Sequence, residues 1–330
     1  LSGGTALGAG GVFAFLQQAL GNPGEIQIEA QSVELVDSGS INAGCGNCVG
    51  EAGGRIEVRA DSLELRGGRL EVSTTGAGNA GVIRVHTGSL IIEGQGIIRA
   101  DASGEGDAGS VVIQSDSVQV ATGGVIYAST RGSSLAGTID VSASESILVD
   151  GAGDPRFSLL LVFRSLQLGL RPLVTGIFSA TDGSGDADSI HLSAPAITLT
   201  DGAFVSTSTA GGGDAGDVLL SGDRIYVRNG AFVDSTSLAF DGPGGNVGNI
   251  TLEANELIEV VGLRAGVDKV SGPWEDPSRV TSANLSSGEG GKVALRAPRI
   301  VIDGGAVATT ALPSLNGWEG VSGGNISVNA

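Results

Sequence analysis

A segment of about 28 residues repeats along this chain, and inside every copy apolar residues fall two apart. The cleanest copies open at Gly81-Val-Ile-Arg-Val85, Gly109-Ser-Val-Val-Ile113 and Gly137-Thr-Ile-Asp-Val141, so that successive glycines stand 28 residues apart. A fixed period of this size marks a solenoid, in which each copy is one supersecondary unit that cannot bury its apolar face except against its neighbours. Solenoids make long surfaces more readily than enclosed pockets, and that shapes every later inference.

Each copy reads as three short strands. The first has two inward positions: Ile26, Ile56, Ile83, Val111, Ile139, Ile190, Val218, Ile250, Val293 and Ile326, then Ile28, Val58, Val85, Ile113, Val141, Leu192, Leu220, Leu252, Leu295 and Val328. No polar residue occupies any of them. Alternation places the residues between them, such as Gln27, Glu57, Arg84, Asp140 and His191, on the outer face. A small residue (Ala30, Ala60, Ala143, Ala194, Ala254, Ala297) then marks a corner. The second strand follows with pairs such as Val33/Leu35, Leu63/Leu65 and Leu257 or Ile258/Val260. After a Gly or Asp-Gly turn, the third strand is expected to point Ile41, Leu70, Ile98, Ile126, Phe178, Phe204, Phe232, Val280 and Val307 inward, the phenylalanines stacking as a ladder in the core.

Strands this short, meeting on three apolar faces, wind most simply into a right-handed parallel β-helix. The expected fold is therefore all-β: a solenoid of about ten three-strand rungs of about 28 residues, with loop or helix insertions, stacked at about 4.8 Å into a rod of roughly 45 Å. A β-sandwich gives no reason for one residue type to recur at one register through ten copies. Glycine-rich corners close the rungs, as in Gly76-Ala-Gly-Asn79-Ala-Gly81 and Gly211-Gly-Gly-Asp214-Ala-Gly216. Their Asn and Asp residues are expected to hydrogen-bond their own turns. The period is not that of nonapeptide calcium repeats, so no metal or cofactor is expected.

Composition narrows the function classes. The chain has 330 residues, 57 of them glycine, and a net charge of −18. Phosphate backbones and anionic membranes both require clustered Lys and Arg, so neither nucleic acid nor a membrane surface is an expected partner. No apolar run is long enough to span a bilayer. The chain contains no Met and opens on Leu1-Ser-Gly-Gly, so it reads as a piece of a longer protein. Residues 1–20 are expected to be an apolar N-terminal cap or the end of a preceding segment, with the β-helix over 21–330. The only cysteines, Cys45 and Cys48, suit a small disulfide staple across a loop in an oxidising compartment better than a metal site, which needs two more ligands.

The repeat is interrupted at 152–175, 262–277 and 311–322, and more briefly around Cys45–Cys48 and Leu238–Val247. Insertions in a solenoid map to loops on one face, often the binding face. The candidate interaction residues are the apolar Phe157, Leu160 and Phe163, and the two tryptophans of the chain, Trp274 and Trp318. The bland alternative is that these loops lie back over the rod and cover its edges.

The rung formula Gly-(Asn/Asp)-Ala-Gly-x-Ile-x-Val, then Ala-x-Ser-Leu-x-Leu, then Gly-x-Ile-x-Ala resembles the filamentous haemagglutinin-like family, with best matches at 79–128 and 186–235. These are large secreted β-helical exoproteins of Gram-negative bacteria, often exported by two-partner secretion, and the family's N-terminal secretion domain is not recognisable here. The resemblance implies an extracellular or outer-cell-surface location and a structural or adhesive role, but carries over no binding residue. The expected function is a non-enzymatic rod that self-associates end to end or through its insertions and contacts a surface glycan or a host or neighbour-cell ligand. The competing classes are a carbohydrate-binding module using Trp274 and Trp318 and a β-helical polysaccharide lyase or hydrolase. The outward charges are scattered, with no carboxylate pair at one register across adjacent rungs, which disfavours the enzyme.

Overall fold

A computed structural model describes residues 5–7, 11–13, 16–17, 24–46, 53–152, 174–238, 244–268, 272–311 and 323–330. They form a parallel β-solenoid, with no helix among them. The first-strand positions stack in register from Ile26 through Ile56, Ile83, Val111, Ile139, Ile190, Val218, Ile250 and Val293 to Ile326, so ten starts delimit nine full turns. The strands Thr5–Leu7 and Gly11–Phe13 pair parallel with the first of these turns and extend the same ladders.

The expected three strands resolve into two sheets. The first and second are one continuous strand in most rungs, as in Glu25–Val36, Arg55–Arg66, Val82–Glu93 and Ser110–Ala121, and together they build a 13-stranded sheet. The strand bends at the small residue because the inward positions on either side, Ile28 and Val33 for example, are five residues apart. An odd separation cannot keep alternating side chains on one face of a flat strand. Ile139–Asp150 and Ile250–Val261 each carry one extra residue at the bend, taken up as a register shift. That shift makes Ile258, not Leu257, the inward residue. The strand breaks fully between Ser193 and Ala196 and between Arg296 and Ile300, where Pro195 and Pro298 lack the N–H the ladder needs.

Shorter strands, among them Ser40–Asn42, Ile97–Arg99 and Val125–Thr130, form a second, ten-stranded sheet. Here the structure corrects the expected inward column. The residues facing the core are Ile41, Leu70, Ile98, Ile126, Ile177, Val205, Val233 and Val280, while Phe178, Phe204 and Phe232 lie on the opposite side of the sheet in a separate apolar cluster. In each of these three strands two adjacent residues are apolar, so alternation alone cannot say which points in. Pairing with the preceding rung decides it, because Ile126 stands opposite Ile177 and Ile177 opposite Val205.

The corner hydrogen bonds also differ from expectation. Asn79, Asp107, Asp186 and Asp214 each accept a backbone N–H from the next rung, at 2.6–3.0 Å, instead of closing their own turns. Own-turn bonds come from the column before them: Thr74, Thr130, Thr181 and Thr209 accept the N–H two residues ahead. At the same corner the rungs come too close for any side chain. A Cβ on Gly109 would stand 1.8 Å from the Gly81 carbonyl oxygen, and one on Gly137 1.6 Å from that of Gly109. Gly109→Ala is therefore expected to cost about 1–3 kcal/mol through forced separation of two rungs. Gly323→Ala, where a Cβ meets nothing within 4 Å, is expected to be neutral. Thermal melts followed by circular dichroism measure both, and equal midpoints would contradict this account.

Candidate functional site

Three features of the outer surface are organised enough to act. The first is a groove along the bend of the 13-stranded sheet. Its floor is the small-residue column, which includes Ala60, Thr87, Ser115, Ala143, Ala194 and Ala254. Thr87 and Ser115 turn their hydroxyls to the carbonyls of Ser89 and Ser117, so the floor is short and internally satisfied. A hollow of about 350 Å³ is lined by His86, Gln114, Asp116, Ser142 and Ser144, and one of about 160 Å³ continues it past Glu57, Arg59 and Arg84. Farther along the same line a hollow of about 800 Å³ lies beside Ser193, Ser221, Glu253 and Arg296. Two wall pairs run along the rod, His86 Nδ1 lying 3.1 Å from Gln114 Oε1 and Ser144 donating to Asp116 at 2.7 Å, while Arg59 donates to Glu57 of its own strand at 2.6 Å.

The second feature is the outer face of the ten-stranded sheet. Tyr127, Phe178, Phe204 and Phe232 stack along the axis with ring centroids 5.0, 5.7 and 5.7 Å apart, and the Arg279 guanidinium caps the series 4.6 Å from the Phe232 ring. Aromatic pairs at this spacing add about 0.5–1.5 kcal/mol each beyond their burial. All four rings are buried, and so is every residue of Val125–Thr130, Gly176–Thr181, Phe204–Thr209 and Phe232–Ser237, on both faces. At one end of the stack Arg99 is bonded to Glu71 and lies near Asp101. Burial alone would lower the pKa of Arg99, but the charges of Asp101 and Glu71 outweigh it and hold it raised. The Tyr127 phenol is pushed up to about 12, mainly by burial and then by Asp101.

At the other end sits Asp234. One of its carboxylate oxygens accepts from Thr236 at 2.7 Å, while the other is buried without a hydrogen-bond partner. Burial pushes its pKa up to about 6, against the opposing influence of the Thr236 and Ser206 hydroxyls and of Arg279.

The third feature is an antiparallel hairpin, Leu263–Asp268 with Gly272–Pro277, which fills the 262–277 insertion. A Cβ added at Gly202 or at Gly230 would strike the Arg264 side chain within 2.4 Å, so the hairpin lies against the turns of the two preceding rungs. Trp274 is half-buried within it, beneath Arg264 at 5.9 Å and opposite Gly266. Cys45 takes part in a disulfide, and Cys48 lies outside the described residues, as do Phe157, Leu160, Phe163 and Trp318. The groove and the hairpin are separate places on the rod. His86 and His191 stand in different outward columns, and His191 meets Asp140 at 3.0 Å on an exposed face.

Among the described residues no group of three or more His, Cys, Asp or Glu is placed to hold a metal ion, and no helix is long and apolar enough to cross a membrane. No protein-family model matches the chain, and neither a curated protein nor a solved structure shows detectable similarity to it. The groove walls and Asp234 escape a reading of apolar periodicity because they are outward residues. One signal was present: His86 and Gln114 stand 28 residues apart, as do Asp116 and Ser144.

Asp234 gives a pH prediction of definite sign. Its folded pKa, about 6, lies above the ordinary value of about 3.9 for an unfolded Asp. Below about pH 4 both states are protonated and the residue carries no penalty. Between about pH 4 and 6 only the unfolded state ionises, so stability falls as pH rises, by up to about 3 kcal/mol at the plateau. Asp234→Asn is expected to raise the melting temperature at pH 7 and to match the unsubstituted protein at pH 4. Equal melting temperatures at both pH values would refute a penalised buried carboxyl.

Proposed function

We propose that this chain is part of a secreted bacterial cell-surface protein, a structural and adhesive rod similar to the filamentous haemagglutinin-like exoproteins. The observation that carries the reading is the unbroken stacking of like residues through nine turns, which makes a long body with organised outer faces. The disulfide at Cys45 supports an oxidising, extracytoplasmic compartment. The acid excess keeps such a rod soluble and spaced from its neighbours.

The outward carboxylates support a non-catalytic role: Asp116 is exposed and engaged with Ser144, and the partly exposed Asp140 is engaged with His191.

Negative-stain electron microscopy of the purified chain across a concentration series tests the reading. Rods roughly 45 Å long at low concentration, joining end to end as concentration rises, are the expected result. Compact particles, or a lyase or hydrolase activity on polysaccharide that Asp116→Asn or Asp140→Asn removes, would overturn it.

A further inference from the structure

We propose that the groove at the bend of the 13-stranded sheet binds an uncharged glycan chain laid along the rod axis. This rests on the adhesive-rod reading and deepens it by naming the contact face and the chemistry of the ligand.

The groove is polar along its length. Its walls carry Arg59, His86, Gln114, Asp116, Ser142 and Ser144, which offer hydrogen-bond donors and acceptors on successive rungs about 4.8 Å apart. Among the described residues no Phe, Tyr or Trp lines either hollow, and the floor holds small side chains and the edges of Val58, Val85 and Val112. The occupant is therefore held by many hydrogen bonds along its length and not by an apolar anchor.

Charge narrows the class. Arg59 is tied to Glu57, which Arg84 also faces, and Asp116 accepts from the neutral Ser144, so the charges along the two hollows balance and the groove presents no field of one sign. A polyanion needs an excess of clustered cations, and here Arg59 and Arg84 are matched by Glu57 and Asp116. An extended polypeptide rises about 3.3 Å per residue and falls out of step with the rungs. It also binds most readily by adding a strand to a free sheet edge, whereas here the backbone groups of each strand are used in pairing with both neighbouring rungs. A hydroxyl-rich polymer whose monomer is about as long as one rung is high keeps pace with the ladder. That describes a neutral polysaccharide.

The test titrates the full chain calorimetrically with length series of β-linked glucose and N-acetylglucosamine oligomers, and with heparin as the polyanion. Binding of a neutral series is expected, tightening with length until the groove is filled. Gln114→Ala is expected to weaken it roughly 2- to 10-fold, the worth of about one hydrogen bond. Ser142→Trp, an exposed position in the groove wall, is expected to abolish it by filling the hollow. Gln119→Trp, two strand positions past the bend on the other arm, is expected to leave it unchanged. Should Ser142→Trp fail to fold by circular dichroism, Gln114→Ala decides. The proposal is overturned if no neutral series binds, if only heparin binds, or if Ser142→Trp folds and still binds. Rods seen by electron microscopy alongside any of those results would leave the rod reading standing while removing the groove from it.

Discussion

Every rung of this protein holds its neighbours through parallel backbone hydrogen bonds in fixed register, and the rest of the structure follows from that pairing. Because Val111 stands opposite Ile83 on one side and Ile139 on the other, each core position sees its own kind above and below. A residue tolerated in one rung must be tolerated against the next. The same pairing brings backbones together at the glycine corner, where Gly81, Gly109 and Gly137 leave no room for a Cβ. It also aligns the side-chain ladders, including the Asn79–Asp107 step that ties one rung's side chain to the next rung's backbone. Most contacts are then between adjacent rungs, so stability is close to a sum of rungs and interfaces.

That constraint explains what was legible in the sequence. Twenty first-strand positions could be assigned because in most copies the residue between the two, such as Arg84 between Ile83 and Val85, is polar, and where it is apolar, as at Val112 and Leu219, the register of the other copies decides. The third strand misled where its inward residue had an apolar neighbour. Ile177-Phe178 and Phe204-Val205 are both apolar pairs, so the pattern allows either member to point inward, while cross-rung pairing places the phenylalanines on the other side of the sheet. The Asn and Asp corners misled for a similar reason. A local turn rule competes with an inter-rung bond of almost the same length, and which one wins depends on the neighbouring rung.

The two outer faces differ in a way periodicity cannot show. On the groove side, polar residues are exposed, paired along the axis, and sit above a floor that needs only small side chains. On the other side the sheet is buried on both faces, and the aromatic series from Tyr127 to Phe232 runs into Arg279 and the penalised Asp234. A carboxyl with one unpaired oxygen is a poor choice for stability alone, since an isosteric amide or a hydroxyl would avoid the charge. Its cost is tolerable because the rungs on either side contribute large apolar burial of their own, so the residue destabilises one interface and not the whole rod.

Near-additivity of rungs also explains where the chain can vary. A hairpin of about a dozen residues enters between Val260 and Val280 without disturbing either: Val260 still pairs with Val227, and Val280 with Val233. The insertion needs only a turn wide enough to leave and re-enter, and the Asn229-Gly230 turn beneath it supplies a surface with no Cβ to obstruct Arg264. Loops added at such corners can change independently of the core, whereas the groove cannot, because its floor is the bend itself. A ligand recognised by the loops would therefore be free to diverge between related rods. One recognised by the groove is tied to the small residues that let each long strand bend, and is as constrained as the fold.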